Sequence, residues 1–260
     1  MIDYSFSYGD LEYFLLILMR VSGFIFAAPF FSMTNVPTRV RMGLSVFITI
    51  LLSYSLPKMS IEYDGLIQYS ILVMKETVTG ILIGFGAKFC QTIVNFAGHI
   101  ADMEAGLSMV TLFDPATKEQ TSISGAYYNY SITLMLVLSG VYRYLISAFA
   151  ETYTLIPING AVFNGDKLMS AFIGFMTNYL IIGFRICLPV FAVMIILNCI
   201  LGILAKVSPQ MNMFAVGMQM KVLVGLGVLF LTTTMIPSAG NFIFEQMKRV
   251  VVSFVMAMQQ

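Results

Sequence analysis

Long apolar stretches, several of them interrupted by charged side chains, constrain the fold of this chain more than any other feature. A membrane-spanning helix needs about 20 predominantly apolar residues. Only 10% of the 260 residues are charged and 58% are hydrophobic, whereas soluble domains carry about 25% charged residues. The sequence therefore predicts a nearly all-helical protein of the membrane class. The predicted helices lie at 11–31, 41–56, 66–100, 124–149, 168–206, 216–236 and 241–257.

The charge and the cysteines exclude several classes of function. The formal net charge is +1, which provides no basic surface for a nucleic-acid backbone. Cys90, Cys187 and Cys199 lie in apolar stretches at spacings that match neither a disulfide framework nor a zinc site. No glycine-rich phosphate loop opens a helix. We therefore expect no catalytic residue, no cofactor and no metal, and we expect His99 to make a structural polar contact.

The charges inside the predicted helices need partners. A charged side chain at the centre of a membrane-spanning helix costs about 2.5–3.5 kcal/mol, while each strongly apolar residue returns only about 0.3–0.6 kcal/mol. Arg20 lies in one such stretch, and Lys75, Glu76 and Lys88 lie in another. Adjacent residues on a helix point in different directions, so Lys75 and Glu76 need separate partners. We predict that protein or water surrounds all four charges.

Glycines recur in the same stretches at spacings that let another helix approach closely. Gly80 and Gly84 form a G-x-x-x-G pattern, and Gly225 and Gly227 stand in a later stretch. Packing within this chain and contact with another subunit both fit the pattern.

The segment 103–123 is too polar to cross a bilayer and too apolar for a solvated loop. Asp114-Pro115 and Lys118-Glu119 interrupt it. It is either an ordinary loop packed against the core or an apolar plug in a pore. The residues that would seal such a pore are Leu107, Met109, Val110, Leu112 and Phe113.

The stretch 206–221, KVSPQMNMFAVGMQMK, predicts a turn between two long helices. Pro209 ends the first helix, and Gln210 and Asn212 supply side chains for the backbone groups freed there. Methionines cluster in the stretch, and their flexible side chains suit a surface that packs against changing partners. The residues predicted to contact other subunits are Pro209, Gln210, Met211, Asn212, Met213, Phe214, Met218 and Lys221.

The string LAKVSPQMNMFAVGMQMKVLVGL at 204–226 resembles the signature of the FliR family of flagellar type III export-gate proteins. Further landmarks of that family follow its order: NVPTRVRMGLSVFITI at 35–50, AGLSMVTLFDPATKEQTS at 105–122 and YLISAFAETYTLIPING at 144–160. The resemblance covers nearly the whole chain. It departs from the family pattern at Gln219, where proline is usual, at Met211 and Met213, where larger aliphatic residues are usual, and at Val141-Tyr142.

The resemblance implies a fold and an assembly. One such chain would join P-like (FliP) and Q-like (FliQ) subunits, and a B-like switch subunit, in a helical gate for unfolded flagellar proteins, in contact with membrane lipid. Residues 1–165 would form a P-like part with a plug near 106–122. Residues 166–260 would form a Q-like hairpin with its turn near 207–216. The gate would belong to the flagellar basal body at the bacterial inner membrane, held largely above the membrane plane by its partners.

Three other functions remain open. The T subunit of virulence secretion systems (injectisomes) shares the Phe-Asp-Pro and Pro-Gln motifs. A small-molecule or ion transporter would use Arg20, Lys75, Glu76 and Arg185 as a relay, although the chain lacks the paired repeats with matched broken helices of many transporters. A purely structural scaffold is the third.

Overall fold

The computed structural model describes residues 8–33, 35–57, 63–108, 111–113, 120–210 and 212–259. Almost all of them are helical. The α-helices are α1 (Tyr8–Ala27), α2 (Thr38–Ser55), α3 (Gly65–Ala105), α4 (Ile123–Leu138), α5 (Val141–Leu155), α6 (Gly165–Val207), α7 (Met213–Thr232) and α8 (Ile236–Met258). The helical, membrane-type fold predicted from the sequence is confirmed.

Two breaks differ from the predicted ones. The stretch 124–149 is divided, since α4 ends at Leu138 and α5 begins at Val141. Gly140 lies between them with a φ of +73°, a left-handed conformation that glycine adopts without steric cost. A break was also predicted from Pro237 to Gly240, but both residues lie in α8, after a 3-10 turn at Thr233–Met235. Proline is tolerated in the first turn of a helix because that N–H has no partner in the helix.

A short β-hairpin, absent from the all-helical prediction, follows α3. Strand β1 (Thr111–Phe113) pairs antiparallel with β2 (Gln120–Ser122), with Thr111 opposite Ser122. Ser122 then caps α4, because its hydroxyl oxygen accepts a hydrogen bond of 3.0 Å from the backbone N–H of Gly125. The hairpin thus leads directly into a capped helix.

The chain forms two compact units, and the first contains residues 1–89, 141–174 and 247–260. In its core the rings of Phe24 and Phe149 stack with their centroids 4.2 Å apart. The hydroxyl of Tyr63 donates to the carboxylate of Glu12. This hydrogen bond, followed by burial and the negative charge of Glu12, raises the pKa of Tyr63 above its ordinary value. The contact connects the start of α1 to the chain just before α3.

The second unit contains residues 90–140 and 175–246. Its core side chains include Ile93, Ile132, Leu136, Cys187 and Met194, all buried. The ring of Phe96 lies against Gly183. The unit therefore packs the second half of α3 against α4 and α6. The predicted division into a P-like part, 1–165, and a Q-like part, 166–260, stays a prediction.

Three helical segments of the described chain are long and apolar enough to cross a membrane: Gly65–Ala105, Gly165–Val207 and Phe214–Met258. The pair α4 and α5 provides a fourth if both count as one interrupted span. Pro189 lies inside α6. The helix continues through this proline, in agreement with the single helix predicted for 168–206.

Candidate functional sites

A fully buried ion pair lies in the first unit. Arg20 of α1 and Glu76 of α3 are both 0% exposed, and Nε of Arg20 lies 2.5 Å from Oε2 of Glu76. The remaining guanidinium nitrogens donate to the carbonyl oxygens of Ile156, at 2.8 Å, and Pro157, at 3.3 Å. The guanidinium carbon also lies 4.5 Å from the centre of the Tyr153 ring. Burying two charges is costly unless hydrogen bonds satisfy the remaining polar atoms, and the second oxygen of Glu76 is satisfied by the turn described next.

The turn after α5 contacts both adjacent charges of α3. Oε1 of Glu76 accepts a 2.8 Å hydrogen bond from the backbone N–H of Asn159. Nζ of Lys75 donates to the backbone oxygen of Asn159 at 2.8 Å and to its Oδ1 at 3.1 Å. Asn159 has a φ of +67°, and asparagine tolerates this left-handed conformation better than most residues. Lys75 and Glu76 thus hold one turn from two sides.

The four charges predicted to be surrounded differ in burial. Arg20 and Glu76 are fully buried, and Lys75 is half-buried. Lys88 is exposed on this chain. Its burial by another subunit stays a prediction.

Glycines bring α1 and α3 into backbone contact beside the ion pair. A Cβ atom built on Gly80 would lie 2.0 Å from the carbonyl oxygen of Arg20, and one on Gly84 would lie 2.8 Å from that of Phe24. Of the two explanations left open by the G-x-x-x-G spacing, these glycines support packing within the chain. The ion pair depends on this approach, because it spans the same two helices.

The segment predicted as a loop or plug is anchored at both of its ends. Leu107, two residues after the end of α3, is buried. Asp102, 1% exposed, accepts a 3.0 Å hydrogen bond from the backbone N–H of Ser124 and a second one from its hydroxyl. Of the other predicted plug residues, Leu112 and Phe113 belong to β1, while Met109 and Val110 lie outside the described residues. The plug role of the five residues stays a prediction.

The predicted tip joins α6 to α7. Lys206 lies in the last turn of α6, and the N–H of Ser208 donates to the oxygen of Leu204 at 2.8 Å. Oδ1 of Asn212 accepts from the N–H of Ala215 at 3.4 Å and caps α7. Pro209 and Gln210 form the exposed turn between the helices.

The side chains of the tip differ in exposure. Phe214 is 76% exposed. Met218 is 39% exposed and Lys221 is half-buried. Met211 lies outside the described residues, as does the side chain of Met213. The contact of all these residues with other subunits stays a prediction.

The structural polar contact expected of His99 stays a prediction. His99 is exposed, whereas buried Asp102 bonds to Ser124. Within the described part of the chain, no group of three or more histidine, cysteine, aspartate or glutamate side chains could hold a metal ion. The sequence offers only local signs of the contacts of Asp102 and Asn159: a serine at the start of α4 and an Asn-Gly pair after Pro157. These local signs do not show which distant residue each one contacts.

Comparison with known proteins gives one consistent family. Residues 11–247 match the family described as bacterial export proteins, family 1. The chain is 30% identical over 227 residues to the flagellar biosynthetic protein FliR of Bacillus subtilis (strain 168), covering 86% of each chain. It is 27% identical over 229 residues to the FliR protein of Escherichia coli (strain K12), covering 88% of this chain and 87% of the relative. It is also 22% identical over 238 residues to the surface presentation of antigens protein SpaR of Shigella flexneri, covering 90% of this chain and 91% of the relative.

Proposed function

The chain belongs to the bacterial export proteins of family 1, and from this membership we propose that it is a core subunit of the flagellar type III export gate. Members of this family are components of an export apparatus and are not enzymes. The observation that carries the proposal is the match along residues 11–247, together with the nearly full coverage of relatives named as flagellar biosynthetic proteins. The membrane-type helices fit a location in the inner membrane.

The uncovered apolar surface supports a hetero-oligomer. In the most apolar 18-residue part of α6, only 22% of the residues are buried, and in the most apolar 18-residue part of 214–258 only 11% are buried. Ile203, Leu223 and Phe230 are each at least 65% exposed. Surfaces of this kind are covered by lipid or by other subunits. P-like and Q-like helical subunits, and a B-like subunit, would supply such a cover in the gate.

A mass measurement tests the assembly. The tagged chain is expressed alone and together with its P-like and Q-like neighbours. The mass of the purified particles is then measured in mild detergent for each preparation. We expect one copy of the chain in a single large complex when the neighbours are present. A chain that stays alone or pairs only with itself in both preparations would refute the gate function. Transport by the purified chain alone in liposomes would support the transporter alternative.

The α6–α7 tip is proposed to contact neighbouring Q-like hairpins. The support is the exposed Phe214 beside Met218 at a capped helix start. Exchanging Met211, Met213 and Met218 together for aspartate is expected to abolish assembly and motility, because three charges would enter an apolar contact. The matched control exchanges the same three for leucine, which keeps the contact apolar. Normal swimming of the aspartate variant would refute the proposed contact.

Residues 106–122 are proposed to seal the channel until an export substrate displaces them. The support is the apolar character of Leu107 and Leu112 in a segment anchored at its base by Asp102. Deleting the segment is expected to leave the complex assembled but leaky to small ions in a vesicle flux assay. A deletion variant that assembles and stays tight would contradict the plug.

Relatives of both branches bear on the flagellar assignment. The chain is more similar to the two flagellar proteins, at 30% and 27% identity, than to SpaR, at 22%. We therefore propose the flagellar branch over the injectisome branch. Restoration of swimming in a flagellar strain that lacks its own family member, without restoration of virulence secretion in the corresponding injectisome strain, tests this choice.

A further inference from the structure

Helix α3 carries one narrow apolar stripe that the chain leaves uncovered. From Ile71 to Lys88 every exposed side chain belongs to this stripe, and the positions between its members are buried or half-buried. Ile67 extends the same spacing by one turn toward the start of the helix. The apolar members, each at least 40% exposed, are Ile67, Ile71, Met74, Val78, Ile81 and Phe85. These six residues and Lys88 are termed the α3 stripe.

The other sides of this part of α3 are covered within the first unit. Gly80 and Gly84 lie against the backbone of α1. A Cβ atom built on Gly86 would lie 2.9 Å from the ring of Phe254, which belongs to α8 and to the same unit. The turn that contains Asn159 contacts α3 through Lys75 and Glu76. The unit therefore leaves only the α3 stripe open for a further contact.

The spacing of the α3 stripe fits another helix. Its members stand alternately four and three residues apart, an average of about 3.5 residues, which is the period at which two helices supercoil and interlock their side chains. Two positions in every seven form the narrow seam of a helix pair, whereas a helix that lies on a broad apolar surface shows a wider apolar face. From Ile67 to Lys88 the stripe is about 32 Å long, at about 1.5 Å per residue. An uninterrupted helix of about 20 residues would cover it.

Lys88 ends the stripe and defines the chemistry of its partner. In the part of the chain that the structure describes, Lys88 forms no salt bridge. A helix that covers Phe85 also reaches Lys88, because residues three apart are neighbours on a helix surface. A lysine covered by an apolar surface is costly unless a carboxylate neutralises it. The partner helix therefore needs an aspartate or a glutamate at this level.

The same charge favours a different subunit over a second copy of this chain. Two copies of α3 paired in parallel along the stripe would place Lys88 against Lys88, and like charges in one contact repel each other. Two copies paired antiparallel over the same positions would place Lys88 against Ile67, which supplies no counter-charge. Charge complementarity thus selects a helix of another kind of subunit.

We infer that one helix of a neighbouring gate subunit packs along the α3 stripe, with apolar side chains about every 3.5 residues and an aspartate or glutamate against Lys88. This inference rests on the proposed function, since it requires an assembled gate. An assembled gate in which lipid or solvent covers the stripe would refute the inference and leave the gate function intact. A chain that never enters the complex would refute both.

Photocrosslinking in the assembled complex tests the contact. A diazirine amino acid replaces one apolar member of the stripe at a time in the full chain, and the complex is illuminated before and after purification. We expect each position to crosslink to the same helix of one neighbouring subunit. Mass spectrometry of the captured peptides is expected to show attachment points that advance along that helix in steps of about three to four residues.

The chain offers a matched control beside the stripe. Leu66 is 81% exposed and Ile67 is 80% exposed, so the two neighbours are equally accessible and equally apolar. Only Ile67 belongs to the stripe, because successive residues of a helix point in different directions. We expect crosslinks to the neighbouring helix from Ile67 and not from Leu66. Equal crosslinking from both positions, or crosslinking of the stripe to phospholipid or to a second copy of this chain, would overturn the inference.

Variants of Lys88 test the charge. Lys88→Met leaves the partner carboxylate covered and unpaired, and it is expected to speed dissociation of the chain from the complex in mild detergent roughly tenfold or more. The control Lys88→Arg keeps the charge and is expected to dissociate at the parent rate. Equal rates for Lys88→Met and the parent chain would refute the charge pair.

A charge exchange identifies the partner residue. The peptide captured from Phe85 is expected to contain an aspartate or a glutamate near its attachment point. Lys88→Glu should weaken the complex more than Lys88→Met, because two carboxylates then face each other. Replacing the captured acidic residue by lysine in the same complex is expected to restore the parent dissociation rate. A captured peptide without an acidic residue, or a charge exchange that restores nothing, would contradict the inference.

Discussion

Replacing Glu76 by glutamine leaves the Arg20 guanidinium in the interior of the first unit without a counter-charge. Both side chains are 0% exposed, so solvent cannot compensate the loss. Breaking a buried ion pair by removing one partner costs about 3–5 kcal/mol of unfolding free energy. At roughly 2–4 °C per kcal/mol for a chain of this size, the Glu76→Gln variant is expected to unfold about 6–20 °C below the parent chain.

Removing both charges is expected to cost less than the two single changes together. In the double variant Arg20→Met with Glu76→Met, which is compared with the single variants Arg20→Met and Glu76→Met, no charge is buried, and the remaining penalty comes from unpaired backbone groups. The N–H of Asn159 and the carbonyl oxygen of Ile156 lose their partners, at about 1–3 kcal/mol for a buried group left unsatisfied. The two substitutions should therefore be strongly non-additive.

Unfolding can be followed by the reaction of a buried thiol with a fluorogenic dye in detergent micelles. Cys90, Cys187 and Cys199 are replaced by alanine, and Ala87, which is 0% exposed and belongs to the first unit, is replaced by cysteine as the reporter. The control is Lys75→Met, which removes a neighbouring charge from the same helix. Lys75 is only half-buried and bonds to the same turn, so its loss should cost about 1 kcal/mol or less.

Two results would refute this reasoning. An effect of Glu76→Gln no larger than that of Lys75→Met would mean that the Arg20 charge is not held in a dry interior. A double variant whose loss equals the sum of the single losses would mean that the two side chains do not act as a pair.

Three further changes test contacts elsewhere. Gly80→Ala should lower the free energy of unfolding by about 1–3 kcal/mol in the same thiol assay, because the new Cβ meets the α1 backbone. Gly43→Ala lies at a helical position with open space around it and should instead raise the free energy of unfolding by roughly 0.5–1 kcal/mol. Asp102→Ala leaves two buried donors of Ser124 unpaired and should speed hydrogen exchange in the first turn of α4; unchanged exchange there would contradict the anchoring. Asn212→Ala should cost about 0.5–1 kcal/mol through the loss of the α7 cap, measured as faster exchange at the start of that helix only.

Most helices could be predicted because their apolar stretches are long. The α6 prediction held through Pro189, since the apolar residues on both sides outweigh one lost hydrogen bond. The break at Gly140 was missed because the flanking residues are as apolar as the helices themselves. The strands were missed because three residues are too few to show an alternating pattern.

The charged cluster could be predicted only in part. The sequence shows that Arg20 and Glu76 need partners, since an isolated charge in an apolar helix is costly. It does not show that they are each other's partners, because 56 residues separate them and no local pattern connects them. The carbonyl oxygens of Ile156 and Pro157 belong to the backbone and have no sequence signal at all.

The Arg20 cluster also sets an order of events during synthesis. Its partners stand 56 and 136 residues later in the chain. At about 5–20 residues per second, Glu76 emerges roughly 3–11 s after Arg20 and the Ile156 carbonyl roughly 7–27 s after it. Until then α1 carries an unpaired charge at the ribosome and the insertion machinery. A nascent chain stalled before residue 76 should therefore leave its first helix sensitive to protease, and one stalled after the α5 turn should protect that helix.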